Sequence, residues 1–183
     1  GREGGALDIQ AGDSAEFRTG DSFGTEDNAI LSRIDAGAGG ETATLYLRDY
    51  DKDDGLAPDY YLANIGALDL QRVNLTEGES TVRLMSQGDL TVGDAALLRG
   101  GTLWLGAVGD NPDGTSADVM AGNGLTVEAD RLGLFSTGAV EIEGAGGMSV
   151  ADADLMIVAS KLLFPDECAD CGSLTAAGDH LLG

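Results

Sequence analysis

The sequence predicts an all-β fold, a parallel β-solenoid in which three short strands make one coil of about 22 residues. Two observations predict it: apolar-x-apolar pairs recur at a nearly constant interval, and many of the 29 glycines fall between them. Because side chains alternate between the two faces of a strand, residues i and i+2 of each pair point inward together. At this interval the 183 residues make about eight coils.

The apolar pairs fall into three families by spacing. Neighbouring members of a family are 21 to 23 residues apart, except for a gap of 42 residues between Leu90 and Leu132. The midpoint of that gap lies at Asn111 in GDNPDGTS, a stretch whose composition favours turns. We therefore expect a loop to replace one strand there. The families are Val82, Leu103, Leu125 and Met148; Leu75, Leu97, Val119, Val140 and Leu162; and Leu45, Leu68, Leu90, Leu132 and Leu155.

A β-sandwich is the alternative fold, since its strands also recur every 8–12 residues. A sandwich does not require the same inward pair to return in three interleaved families, and Asn-Gly or Asp-Gly hairpin signals are scarce here. Glycines instead precede the strands, where corners need positive φ or close approach of the backbone. These glycines are Gly66, Gly88, Gly101, Gly124, Gly138, Gly147 and Gly172.

We expect a single domain over residues 1–183. Its parts are less regular coils at 1–62 with an acidic insertion at 48–60, regular coils at 63–164 with a loop at 109–118, and a cysteine-containing loop with a terminal coil at 165–183. The chain begins without methionine and shows neither a signal peptide nor a stretch of about 18 apolar residues, so we expect a mature or excised segment.

The charge balance excludes some partners. Ten basic residues stand against 32 acidic ones, giving a net charge of -22. Phosphate groups would be repelled, so nucleic acid and anionic membranes are not expected partners. The acidic surface is interpreted as a solvated face that keeps the protein soluble, or alternatively as a surface that collects divalent cations.

Calcium is the one cofactor that the sequence suggests. The stretch RDYDKDDGLAPDY concentrates hard oxygen ligands on a turn, which suits calcium. It is not an EF-hand, because Gly55 stands at position 7 and Tyr60 at position 12. A solvated loop without metal is the alternative. The candidate ligands are Asp49, Asp51, Asp53, Asp54 and Asp59, and a second acidic loop offers Asp110, Asp113 and Asp118.

Two cysteines, Cys168 and Cys171, stand in ECADCG. No histidine follows for haem attachment, and a second cysteine pair for zinc is missing. We expect these two residues to form a disulfide that closes a small loop in an oxidising compartment.

Catalytic residues are not predicted. Asp130 with Asp152 or Asp154, one coil apart, could form a glycosidase pair, but acidic residues are so common that such pairs arise by chance. His180 is the single histidine and stands near the C-terminus, so a histidine base is not expected. Trp104 faces outward between Leu103 and Leu105 and could stack on a sugar.

The units GALDI, GDLTV, GLTVEADRLGLF, GAVEIEGAGGMSVADADLMIVAS and GSLTAAGDH resemble the passenger repeats of filamentous haemagglutinin-type proteins. The resemblance is clearest over residues 66–160 and at both ends of the chain, and is absent from the acidic insertions. It implies a right-handed parallel β-helix, secreted through an outer-membrane transporter, that serves as an adhesin, stalk or matrix element.

The sequence therefore predicts a non-enzymatic, extracellular structural or adhesive segment of a surface fibre. Its expected partners are flanking repeats or copies of itself stacked end to end, and glycans or proteins of a cell surface. The alternative is a carbohydrate-active β-helix, either a polysaccharide lyase or hydrolase or a sugar-binding protein.

Overall fold

The structure is a computed structural model that describes most of the chain as β-strands and their connections. The described residues are 9–19, 22–34, 43–49, 57–75, 79–143, 148–151, 154–163, 174–176 and 180–182. They include no helix long and apolar enough to cross a lipid bilayer. In chain order the strands are β1 (Ile9–Ala11), β2 (Ser14–Thr19), β3 (Ile30–Ile34), β4 (Ala43–Asp49), β5 (Tyr60–Asn64), β6 (Leu68–Asn74), β7 (Thr81–Ser86), β8 (Leu90–Arg99), β9 (Thr102–Ala107), β10 (Val119–Ala121), β11 (Leu125–Glu128), β12 (Arg131–Ser136), β13 (Ala139–Ile142), β14 (Met148–Ala151), β15 (Asp154–Val158), β16 (Lys161–Leu163), β17 (Leu174–Ala176) and β18 (His180–Leu182).

These strands form two parallel sheets. Sheet A has the order β1-β3-β5-β7-β9-β12-β15-β18, and sheet B joins β2-β4-β6-β8 to two branches, β10-β13-β16 and β11-β14-β17. Every pairing between the named strands is parallel. Because parallel neighbours cannot be joined by a two-residue hairpin, each strand pairs with one that is a longer stretch of chain away. The predicted all-β, parallel architecture is confirmed, and it is consistent with a β-solenoid rather than an antiparallel sandwich.

Sheet B branches at β8, its longest strand. Residues 90–92 pair with β10, whereas residues 97–99 pair with β11. Between the two halves Ala95 has a φ of 50°, a conformation that turns the strand. In β6 the register shifts between Leu70 and Arg72, so β6 bends at the same level. Along the chain, β7 therefore lies in sheet A, the two halves of β8 lie in the two branches of sheet B, and β9 lies in sheet A again.

Alternate apolar side chains fill the interior. In β7, Val82 and Leu84 are fully buried, whereas Arg83 between them is exposed. Equivalent residues stack in columns, because strand partners occupy the same position on neighbouring strands. Burying one such side chain stabilises the fold by about 1.5–3 kcal/mol. The two columns of sheet A are Tyr60, Val82, Leu103, Leu132 and Leu155, and Leu62, Leu84, Leu105, Leu134 and Ile157.

A buried polar cluster lies where the strands of sheet A end. Asn64 is fully buried, and its Oδ1 accepts hydrogen bonds from Ser32 Oγ at 3.0 Å and from the Ile34 amide at 2.9 Å. Its Nδ2 donates to the Gly66 carbonyl at 3.2 Å, and Ser86 Oγ donates to the same carbonyl at 2.6 Å. Because these polar groups bond to each other, the corner can be buried without a desolvation penalty for unpaired atoms.

The structure confirms part of the predicted register and corrects the rest. The confirmed partners are Val82 with Leu103, Leu125 with Met148, Val119 with Val140, Val140 with Leu162, Leu68 with Leu90, and Leu132 with Leu155. The predicted steps from Leu103 to Leu125 and from Leu97 to Val119 are wrong, because Leu103 pairs with Leu132, and Leu97 pairs with Arg72 and Thr126. The steps from Leu75 to Leu97 and from Leu45 to Leu68 are wrong as well, since Leu45 pairs with Leu70.

The loop at 108–118 is the cause of the two wrong steps from Leu103 and from Leu97. It lengthens the step between partners to 29 residues, from Leu90 to Val119, where the preceding step is 22. The seven extra residues are close to a third of one coil, which is about one strand position. After the loop, the pattern counted along the sequence is therefore offset by one strand from the pairing of the strands in space. The expected missing strand is therefore wrong. The loop leaves and re-enters the stack through an antiparallel bridge between Asp110 and Ser116.

Candidate functional site

An open groove lies on the outward side of sheet A, with a volume of about 680 Å³. Tyr61, Arg83 and Trp104 form its central row, because each stands between two buried residues of its strand and the three are register partners. Neighbouring strands are about 4.8 Å apart. The three side chains therefore project at successive levels along the stack.

Two glycines make the floor of the groove flat. A Cβ atom on Gly133 would overlap Cε3 and Cζ3 of the Trp104 indole, so the indole lies over this residue. A Cβ atom on Gly106 would stand 2.5 Å from the Met85 sulfur and 3.5 Å from Cβ of Phe135. The large side chains of one strand therefore lie across the next strand instead of standing away from the surface.

The floor is apolar and open to solvent. The rings of Trp104 and Phe135 have centroids 5.7 Å apart and planes inclined by 51°, a tilted aromatic pair. Val158, the register partner of Phe135, is 42% exposed and continues this surface. Val108, at the start of the loop at 108–118, is also exposed and lines the groove.

The charged groups at the groove are mostly basic, although the whole chain carries a net charge of -22. Arg83 forms no ion pair with a carboxylate of the described residues. Arg131 Nε lies 3.9 Å from Asp154 Oδ2, a wide pair between side chains that are 62% and 54% exposed. Glu26 is the acidic side chain among the described lining residues. The described lining residues therefore carry two guanidinium groups and one carboxylate, with the Asp154 carboxylate beside Arg131.

The phenol of Tyr61 stays neutral over the physiological range. Burial raises the pKa of Tyr61, the negative charges of Asp59 and Glu26 add to the rise, and the positive charge of Arg83 opposes it. A neutral phenol can both donate and accept a hydrogen bond. Tyr61 therefore offers the groove a polar group next to an aromatic face.

The predicted calcium ligands are only partly described. Asp49 ends β4 and is 8% exposed, and Asp59 Oδ1 accepts a hydrogen bond from the Thr81 amide at 2.7 Å. Within the described ranges no three His, Cys, Asp or Glu side chains gather where they could hold a metal ion. Calcium binding stays a prediction. Asp51, Asp53 and Asp54 lie outside the described residues.

Carboxylates of the second acidic loop bond to the loop itself and to its surroundings. Asp113 accepts hydrogen bonds from the Thr115 amide at 3.0 Å and from its hydroxyl at 2.7 Å, which hold the pKa of Asp113 below its usual value. Asp118 Oδ1 accepts a bond from the Ala139 amide at 2.6 Å. Both side chains therefore fix the course of the backbone.

The remaining candidates from the sequence are only partly described. Asp154 directs its carboxylate toward Arg131, and it bonds to Asp130 through the backbone, amide to carbonyl, at 2.9 Å. His180 lies in β18, of which only the backbone is described. Asp152, Cys168 and Cys171 lie outside the described residues.

Comparison of the chain with protein-family models, with curated proteins and with solved structures found no match. The resemblance to filamentous haemagglutinin-type repeats therefore rests on the residues alone. Sequence reasoning singled out Trp104 but missed the groove. The missed signal is that Tyr61 and Arg83, like Trp104, each stand between the two apolar residues of an inward pair, which puts all three on the outer surface.

Proposed function

We propose that this chain is a segment of an extracellular β-solenoid with a structural and adhesive role and no enzymatic activity. The observation that carries the proposal is the unbroken stack of sheet A, in which each strand from β5 to β15 pairs in parallel with the next. Every circuit adds residues both to the interior columns and to the outer surface. Stacked repeats of this kind form elongated bodies with extended binding surfaces.

In the proposed solenoid three strands make each coil of about 22 residues, the chain makes about eight coils, and the winding is right-handed. The eight strands of sheet A among the described residues support the coil number. The divided pairing of β6 and β8 supports three strands per coil. The strong preference of crossovers between parallel strands for a right-handed path supports the hand.

The groove on sheet A supports binding rather than catalysis. Glu26 is the single carboxylate among its described lining residues. A glycosidase of the usual kind needs two carboxylates about 5–9.5 Å apart on either side of the scissile bond. The groove instead offers aromatic faces and guanidinium groups, which suit the recognition of a ligand. An enzyme acting on carbohydrates is therefore the less favoured alternative.

The surroundings proposed for the chain follow from its resemblance to secreted passenger repeats. It would leave the cell through an outer-membrane transporter and stack end to end on flanking repeats or on copies of itself. The surplus of acidic residues would keep neighbouring rods apart, or link them through calcium at residues 48–60.

Surface exposure tests the proposal directly. Antibodies against the purified chain, applied to intact cells that produce it, should label fibres or a surface layer by immunogold electron microscopy. Permeabilised cells serve as the control for total protein. Label that appears only after permeabilisation would overturn the proposal, and so would the release of new reducing or unsaturated sugar ends when the chain is incubated with polysaccharides.

A further inference from the structure

We propose that the groove on the outward side of sheet A binds a glycan that carries carboxylate groups, that is, a chain containing uronic acids. The inference rests on the adhesive role proposed above and names the chemical class of its ligand. Two properties of the groove carry it: a flat apolar floor with partly exposed aromatic rings, and guanidinium groups beside that floor.

The floor suits the flat face of a sugar ring. Gly133 lets the Trp104 indole lie against the sheet, and Phe135 supports the indole from the side at 5.7 Å between centroids. The face of an aromatic ring carries partial negative charge and attracts the partly positive C–H groups of an apolar sugar face. Tyr61, two levels along the same row, offers a second ring and a neutral hydroxyl.

The guanidinium groups select an anionic ligand. Arg83 stands between Tyr61 and Trp104 and makes no ion pair within the described part of the chain, so its hydrogen-bond donors are available. Arg131, one level beyond Trp104, holds Asp154 only at 3.9 Å. A guanidinium binds a carboxylate with two parallel hydrogen bonds. Arg83 therefore lies within the row of the two rings, and Arg131 lies beside that row, as the register partner of Thr102.

Three other occupants fit the groove less well than an acidic glycan. A second copy of this chain would bring another net charge of -22, whereas a hexasaccharide of alternating glucuronate and N-acetylglucosamine brings three carboxylates, so general repulsion opposes a second copy on this face far more strongly. A peptide that adds a strand needs an open backbone edge, whereas the groove lies on a sheet face whose strands β7, β9 and β12 are already paired on both sides. A polyproline peptide could use the aromatic rings but has no anionic group to offer the guanidinium of Arg83.

The fluorescence of Trp104 gives a local readout, because the chain contains one tryptophan. The full chain is titrated with a hexasaccharide of alternating glucuronate and N-acetylglucosamine, and separately with the neutral hexasaccharide of N-acetylglucosamine. We expect saturable quenching with the acidic sugar at physiological salt, an affinity that falls as salt rises, and at least about tenfold weaker binding of the neutral sugar.

Two arginine variants separate the groove from general charge. R83Q should weaken binding of the acidic sugar at least about tenfold. The matched control R72Q removes an exposed arginine from β6 in sheet B and should change the affinity less than about twofold. Circular dichroism of both variants checks that they fold.

Four titration results would each overturn the inference: no saturable quenching, equal affinity for the two sugars, equal effects of R83Q and R72Q, or displacement of the acidic sugar by decaproline at equal concentration. Sedimentation that shows a stable dimer occluding Trp104 would overturn it in favour of a second copy. If intact cells are labelled and any of these results is obtained, the glycan inference is rejected and the proposed adhesive solenoid is retained. Absence of labelling rejects the proposed function whatever the titration shows.

Discussion

The indole of Trp104 lies over Gly133, in the space that any other residue at position 133 would fill with its side chain. The two residues are register partners on β9 and β12, so this packing joins two neighbouring circuits on the outside of the stack. The same relationship flattens the groove floor. A single glycine thus affects both the stability of the sheet surface and the shape of the candidate site.

We expect G133A to destabilise the protein by about 1–3 kcal/mol, since the added methyl group forces the indole off its site. The displaced indole becomes more exposed, so its fluorescence emission should move to longer wavelength. Urea unfolding and emission spectra measure both effects. G12A is the matched control, because no described atom lies within 4 Å of a Cβ there. An unchanged emission spectrum in folded G133A would contradict the packing described.

The hydroxyl of Tyr60 predicts a loss of stability at high pH. Burial of the ring raises the pKa of Tyr60 to about 12, although hydrogen bonds with the Thr19 amide and the Arg48 carbonyl lower it somewhat. The phenol of the unfolded chain ionises near pH 10. The contribution of the neutral, buried Tyr60 to the free energy of unfolding is therefore complete below pH 10 and is lost between about pH 10 and 12. The loss amounts to about 1–3 kcal/mol.

Chemical unfolding at pH 8, 10 and 11 measures this dependence. Y60F has no ionisable group at this position, so its free energy of unfolding should fall less between pH 10 and 11 than that of the native chain. Y61F serves as the control for tyrosine ionisation elsewhere. Parallel pH profiles of the native chain and Y60F would rule out the role given to this hydroxyl.

Removal of the buried amide of Asn64 should be costly. N64A leaves the Ile34 amide and the Ser32 hydroxyl without their side-chain acceptor in a buried corner. We expect a loss of about 2–4 kcal/mol, from the unpaired donors and from the cavity. Thermal and urea unfolding measure it, and Q87A, at an exposed position of the equivalent connection between β7 and β8, should change stability by less than about 0.5 kcal/mol. Equal stability of N64A and Q87A would show that the corner cluster does not stabilise the fold.

The loop after β9 should be removable. The Ala117 amide bonds to the Gly109 carbonyl at 3.1 Å, so the two ends of the excursion already lie together. Deletion of residues 110–116 removes seven residues and brings the 29-residue step to 22. We expect a folded protein with unchanged far-ultraviolet circular dichroism.

The expected cost of this deletion is about 1–2 kcal/mol, because Asn111 no longer bonds to the Asp89 carboxylate and amide, at 2.8 and 3.2 Å. N111A should reproduce most of that cost without shortening the chain. Collapse of the circular dichroism spectrum after deletion would mean that the loop is part of the stack.

Local alternation could be predicted from the sequence because it depends on neighbouring residues. Val82 and Leu84 point inward, as their spacing indicates, and Gly66 and Gly124 have φ of 101° and 73° at corners, as expected. Gly88 lies at a corner where the backbone approaches closely, the other predicted reason for a glycine, since a Cβ there would stand 2.7 Å from the Ala67 backbone nitrogen.

Long-range register could not be predicted beyond the loop at 108–118. A seven-residue insertion shifts the pattern by one strand, and the neighbouring families have similar apolar residues, so the sequence offers nothing to distinguish Leu125 from Leu132 as the partner of Leu103. The groove depends on this register. Trp104 and Gly133 can be recognised as neighbours only after the 29-residue step is known.

The narrow neck between Asp110 and Ser116 has a practical consequence for engineering. Backbone pairing is carried past this corner by β9, β10 and their partners, so a guest sequence spliced between Pro112 and Asp113 would be displayed without interrupting the inner ladders. Val108 places that graft beside the groove, so a foreign epitope or enzyme tag would lie next to the proposed ligand site.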